Sequence, residues 1–299
     1  MHENRIDPET FLISPLEVLV RRFLVLLRHY LDDKYFYVIT SQLKRLRAFF
    51  RGSRSAADIF LQGKSTTSNG ELIVCITHDI DSMECSSSLQ KLFEITDLYK
   101  IKTTVNVLTE GPYDVKELLT RIPNQHEIGL HGDFHDIAFG FRKTSDIEKR
   151  LESCIKKLKP LEIKSFRAPG LSVSMELLAS LIKHGIKIDS SLASWPLFNS
   201  KTKPILHSLL SEQIFEVPLA ISDDLLFREL KLNDFQTKEL ISSIANTVAA
   251  LNGVLVMNFH PGVTVKRIGT YQGIVDILAN RPNTKFETIS DAVRIQLSK

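Results

Sequence analysis

Residues 72–81 read L-I-V-C-I-T-H-D-I-D, an apolar run long enough for one strand that ends in two carboxylates, Asp79 and Asp81, one residue apart. Consecutive apolar residues without polar alternation suit a strand buried on both faces, as in a parallel sheet covered by helices. Two acids at the mouth of such a strand repel one another, so the pair predicts a positive partner at that spot.

Outward from this stretch the pattern repeats. Apolar runs at 103–108, 127–130, 165–167, 186–189, 214–220 and 254–259, and a last one near 285–288, alternate with helix-like segments at 86–99, 145–158, 174–184 and 234–251. Strand and helix in alternation imply a parallel sheet. Seven or eight such units fit the size of a closed (β/α) barrel, and an open doubly wound sheet meets the same pattern.

The first 62 residues differ. Leu16, Leu19, Val20, Phe23, Leu24 and Leu27 recur at helical spacing, and residues 34–54 hold six Lys+Arg and no acid, interleaved with Tyr35, Phe36, Tyr37, Phe49 and Phe50. The organisation expected is a basic helical arm (1–62), a polar linker (63–71) and a barrel (72–299). Residues 16–54 are then a peripheral membrane contact or an arm packed on the barrel.

With 43% apolar residues, 24% charged residues and a net charge of +3, the whole chain argues against a nucleic-acid partner. Cys75, Cys85 and Cys154 show neither a disulfide framework nor a thiolate metal spacing. Asp7, Glu9 and Glu17 precede the first apolar run, so no secretion signal is expected, and the placement expected is cytoplasmic, at the inner membrane face if the arm binds lipid.

In parallel sheets ligands gather at the C-terminal ends of the strands. The polar residues fall there: Asp79 and Asp81 after the first run, His131 and His135 in HGDFH after the third, Arg167 in FRAPG, Asp189 in IDSS, Asp223 and Asp224 after the sixth, and His260 in NFHP. Two histidines and a carboxylate suit zinc with positions left open. His131 and His135, four apart, face one ion if their segment takes a helical turn. His78 is expected to be a hydrogen-bonded packing residue, and His126, His184 and His207 to be solvated.

The ordered set THDID, HGDFH, FRAPG, DSS with Trp195-Pro196, and FHP resembles the signature motifs of the polysaccharide deacetylase (NodB-homology) family, carbohydrate esterase family 4, over about residues 72–290. The resemblance implies a deformed (β/α) barrel and metal-dependent removal of an N- or O-acyl group from a sugar. By that resemblance Asp81, His131 and His135 hold a divalent metal, with zinc the first candidate. Asp79 is the general base and His260 the general acid. Arg167 and Asp189 are the supporting pair, the aspartate bonding the arginine or the catalytic histidine.

Asn258 stands where the family usually has a leucine lining the acyl-methyl pocket, which opens formyl beside acetyl. Gly132 stands where a hydroxyl residue is usual, and Ile80 separates two aspartates that are commonly adjacent. Trp195, Asn258 and Asp223 are candidate substrate contacts. The expected partner is an acylated amino sugar or oligosaccharide, free or lipid-linked, in cell-surface polysaccharide or glycolipid biosynthesis. A deacetylase-like barrel that binds glycan without catalysis is the alternative. His131-Gly132-Asp133 with His260 also spells the facial triad of iron(II) oxygenases, whose all-β folds the strand–helix alternation opposes.

Overall fold

A computed structural model describes residues 70–194 and 202–299, with Leu19, Val20 and Phe23 besides. The expected arm and linker, apart from those three helical residues and Gly70–Glu71, and Trp195 lie outside the described residues.

Strand β1 (Leu72–Ile80) is buried along all nine residues and forms the axis of the sheet. Beside it stand β2 (Thr104–Val107), β3 (Glu127–Leu130), β4 (Ser165–Phe166) and β5 (Ile188–Asp189) on one side, and β9 (Val254–Phe259) and β8 (Leu219–Ser222) on the other, each paired parallel to its neighbour. The strand thus continues through Asp79, which lies within β1 rather than after it.

The ring closes through one bent segment. Its first part, β7 (Ile214–Glu216), pairs with β5, and after Val217-Pro218 its second part, β8, pairs with β9. Proline has no N–H for a ladder and so marks the bend. Residues 192–194 seal the seam: Leu219 donates its N–H to Leu192 O and Ser194 donates to Leu219 O, both at 2.8 Å. Counting 214–222 once gives a seven-stranded deformed barrel. Outside it, β10 (Thr284–Phe286) pairs with the first residues of β1, and β6 (His207–Leu209) pairs antiparallel with β7. That hairpin strand carries no clear period and was not expected from the sequence.

From residue 70 on, the α-helices among the described residues are α1 (Met83–Leu98), α2 (Val115–Thr120), α3 (Thr144–Leu158), α4 (Met175–Lys183), α5 (Asp234–Ala250), α6 (Pro261–Thr264), α7 (Ile268–Ala279) and α8 (Ile289–Leu297). α1, α3, α4 and α5 match the four expected helices to within three residues. Their buried stripes form two apolar flanks outside the barrel, one around Phe93, Leu151, Phe166 and Leu177, the other around Ile76, Ile241, Leu255 and Tyr271. A third cluster fills the barrel floor: Ile73, Cys75, Ile188, Val217, Leu219, Val254 and Val256 meet Ile289, Ala292 and Val293 of α8. Above that floor the interior turns polar, and the polar layer carries the site.

Candidate active site

Asp81 is fixed by the shortness of its link. The chain leaves β1 at Ile80 and enters α1 at Met83, and Ser82 caps that helix by accepting from Cys85 N at 3.2 Å. Strand on one side and helix start on the other leave the Asp81 carboxylate little freedom.

Three imidazoles converge on it. His131 Nε2 lies 3.2 Å from Asp81 Oδ1, His135 Nε2 lies 3.2 Å from Oδ2, and His260 Nε2 lies 3.5 Å from Oδ2. His131 Nδ1 is 2.7 Å from Arg167 O, and a carbonyl can only accept, so Nδ1 carries a proton, and in the neutral ring Nε2 presents a lone pair to the carboxylate. Asp81 Oδ1 is buried, and the polar atom that faces it is His131 Nε2. Lone pairs facing one another across 3.2 Å call for a cation or a proton between them. Ligand atoms of Asp81, His131 and His135 are all close enough together to share one ion.

His131 and His135 do not meet through a helical turn, as their spacing led us to expect. Residues 131–136 form no helix; Gly132 at φ +95° turns the chain, and the two rings stand 5.6 Å apart. A side chain in that backbone region is strained, which accounts for glycine where a hydroxyl residue was expected.

Asp79 sits one layer below. Asn106 Nδ2 donates to its Oδ1 and Asn258 Nδ2 to its Oδ2, both at 2.7 Å, and Arg167 Nη1 lies 3.3 Å from Oδ1. Asn258 is held by Thr77, whose hydroxyl donates to Asn258 Oδ1 at 3.1 Å. Asn258 therefore braces the carboxylate. Gly129, opposite Asn106 in register, makes the room: a Cβ there would lie 2.2 Å from Asn106 Oδ1. Burial opposes charge on both acids. Arg167, His131 and His260 nonetheless hold Asp79 below the usual carboxylate range, and His135, His131 and His260 do the same for Asp81. His131 is raised in turn: burial disfavours its charge, but Asp79 and Asp81 outweigh it.

Arg167, 1% exposed, is anchored from the next strand, its Nε donating to Ser190 O at 2.9 Å and Nη2 to Ser190 Oγ at 2.8 Å. Asp189, expected to bond Arg167 or His260, instead accepts from Ser191 Oγ at 2.6 Å and shares a hydrogen bond with Glu216, its register neighbour. Arg167 acts on Asp189 through its charge rather than through a hydrogen bond.

The carboxylate on His260 is Asp223. Its Oδ1 lies 2.7 Å from His260 Nδ1, and its Oδ2 accepts from His260 N at 2.8 Å and Thr264 Oγ1 at 2.7 Å. Asp224 N donates to Oδ1 at 2.8 Å as well, so four donors occupy the buried Asp223 carboxylate. Asp223, Asp224 and His260 also cluster closely, yet a carboxylate already accepting four bonds has no lone pair to spare for an ion. Burial works against charge on His260, but Asp223 raises its pKa well above the usual imidazole range.

Of the other histidines, His78 is the packing residue expected, edge-on to Phe93 at 6.2 Å, and burial pushes its pKa down to about 3. His126 and His207 are buried rather than solvated, His126 stacking on Phe93 at 4.2 Å.

Residues 76–270 match a family described as WbmS-like, polysaccharide deacetylase. The chain belongs to the polysaccharide deacetylase family. Its fold is similar to that of a protein assigned as a polysaccharide deacetylase from Mycobacterium smegmatis, with a TM-score of 0.65 at 17% identity over 79% of this chain and 93% of that one. The Puue allantoinase gives 0.62 at 9% identity, covering 78% and 92%. A second protein assigned as a polysaccharide deacetylase, from Pseudomonas aeruginosa PAO1, gives 0.60 at 10% identity, covering 76% and 91%. No curated protein matches the chain. Among the described residues no helix is long and apolar enough to cross a membrane.

Proposed function

We propose that this deacetylase-family hydrolase removes an acetyl or formyl group, N- or O-linked, from a sugar, with a divalent metal held by Asp81, His131 and His135. The observation that carries the reading is Asp81, whose two oxygens each face an imidazole Nε2 at 3.2 Å while Asp79 stands two residues earlier, inside β1. A cation bound there supplies a Lewis acid that acidifies water and polarises the acyl carbonyl.

The chain's own groups do the rest. Asp79, kept ionised by Arg167 and directed by Asn106 and Asn258, takes the proton of the attacking water; its Oδ2 lies 4.0 Å from Nε2 of His131, one of the residues that would hold the metal. His260, held through Nδ1 by Asp223, presents Nε2 to the site and gives its proton to the departing amine or hydroxyl as the acyl bond breaks. Arg167 ties the two halves together, binding Asp79 with its guanidinium and His131 with its carbonyl.

The substrate proposed is an acylated amino sugar or oligosaccharide in cell-surface polysaccharide or glycolipid biosynthesis. The basic aromatic arm, residues 16–54, supports a lipid-linked form met at the inner membrane face. Zinc-loaded protein incubated with acetylated and formylated amino sugars, free and lipid-linked, tests this by mass spectrometry: loss of the acyl mass is expected, and its absence for Asp79→Asn with metal still bound. Glycan binding without acyl release would identify a non-catalytic relative instead.

A further inference from the structure

The histidines of the metal centre ride on an irregular segment turned by a glycine, so something outside it must fix their positions. Backbone bonds do part of this, Thr109 N donating to Gly132 O at 3.1 Å and Glu110 N to Asp133 O at 2.6 Å. The side chains on either side of His135 point to another device. Asp133 and Asp136 are 7% and 1% exposed, two like charges in one short loop, and both turn to Arg150.

Arg150 grips Asp133 through Nε at 2.8 Å and Nη2 at 2.5 Å, and Asp136 through Nη1 at 2.7 Å. Its guanidinium carbon lies over two rings, 4.5 Å from the centre of Phe134 and 4.4 Å from that of Phe139. The planar fork thus bonds at its edge while its charge lies over two aromatic rings, a combination that suits arginine and not lysine. Arg142 adds two further bonds to Asp136, from Nε at 3.0 Å and Nη2 at 3.2 Å. The fork rests on a rigid base: α3 is pinned by Ile147, Leu151, Cys154 and Leu158, all buried.

We propose that Arg150 is a positioning residue for the metal centre, clamping the carboxylates that flank His135 so that His131 and His135 meet Asp81 before any metal arrives. This rests on the metal reading given under Proposed function. Removing the clamp frees a loop that a bound cation must then order, so affinity falls even where the three ligands are untouched. Changes to groups that orient metal ligands weaken affinity by about 10–100-fold.

The test is zinc affinity, measured against a competing chelator on the full chain. Arg150→Lys keeps the charge and loses the planar fork; it is expected to weaken zinc binding by roughly 10–100-fold, and to alter the visible absorption of the cobalt-loaded protein. Asp133→Asn, a milder change on the other side of the clamp, is expected to shift affinity in the same direction and decides the matter if Arg150→Lys does not fold. Lys183→Met, which removes the exposed 2.8 Å pair with Glu148 of α3, is expected to leave affinity unchanged. Lower metal-free melting temperatures with wild-type zinc affinity in both clamp variants would mean a purely structural role and overturn the proposal. A wild-type chain that takes up neither zinc nor cobalt overturns the metal reading and the clamp together.

Discussion

At the scale of single residues the site is a set of carboxylates kept charged in places where burial opposes charge. Asp79 is the sharpest case, a 4% exposed acid with two amides and a guanidinium aimed at it. Asp79→Asn keeps shape and volume but cannot take a proton, so kcat is expected to fall about 10²–10⁴-fold while metal content per chain stays as in the wild type; turnover and elemental analysis on one preparation check both. Asp223 belongs to the same logic with the sign reversed. Its charge raises the His260 pKa, and a general acid works only while protonated, so activity is lost as pH rises through that folded pKa. Asp223→Asn lowers the pKa, and the alkaline limb of the kcat profile is expected to move to lower pH; a limb that stays put would separate His260 from the acid role. Asp79, Asp81, His131, His135, Arg167 and His260 stand out in the sequence because each lies at the end of an apolar run. Asp223 shows no comparable local sign of its partner, since it lies 37 residues before His260 and the β8–β9 pairing brings them together.

At the scale of elements, register decides which side chains share the polar layer. β2 and β3 set Asn106 opposite Gly129, and only a missing Cβ leaves room for the amide on Asp79. Gly129→Ala is expected to push Asn106 off the carboxylate and lower kcat with zinc affinity kept, because none of the three ligands moves; equal loss of both would place the damage elsewhere. β5 and β7 set Asp189 opposite Glu216, two fully buried acids at the seam. Burial raises both, Glu216 well above the usual range with the Asp189 charge adding to it, so the pair retains a proton that the unfolded chain would release. The sign follows from linkage. A carboxyl with a raised folded pKa favours the fold at low pH, and that contribution is lost as pH climbs from about 4 towards the folded value. Glu216→Gln supplies a permanent donor to Asp189, so its melting temperature is expected to decline less than that of the wild type between about pH 5 and 8; parallel declines would remove the shared proton. The main strands and α1, α3, α4 and α5 are legible because burial demands unbroken apolar runs in the strands and a helical period in the helices. β6, the bend at Pro218 and the turn at Gly132 are not, because long-range pairing and backbone dihedrals set them rather than local patterning.

At the scale of the whole molecule the barrel has two ends with separate tasks. The mouth holds the acids and imidazoles; the floor is apolar and closed by α8, whose Ile289, Ala292 and Val293 meet Ile73, Cys75, Val254 and Val256. Between them Glu127 joins α8 to the strands, its Oε1 accepting from Ser165 Oγ and Ser290 Oγ at 2.6 Å and its Oε2 from Thr104 Oγ1 at 3.1 Å and Ser290 N at 3.0 Å. This division makes stability and chemistry separable. Ile289 is 1% exposed, and truncating it leaves a cavity that the closed strands around it cannot collapse to fill. Ile289→Ala is therefore expected to cost about 2–5 kcal/mol in urea unfolding. Asp81, His131 and His135 stand at the opposite ends of the strands, with the Thr77–Arg167–Ser190 layer between them and the floor. Zinc affinity and turnover per folded molecule should match the wild type below the unfolding transition. A floor variant that lost zinc affinity while still folded would show that the mouth is not held independently by its own loops, and the clamp at Arg150 would then be only one of several restraints running the length of the barrel.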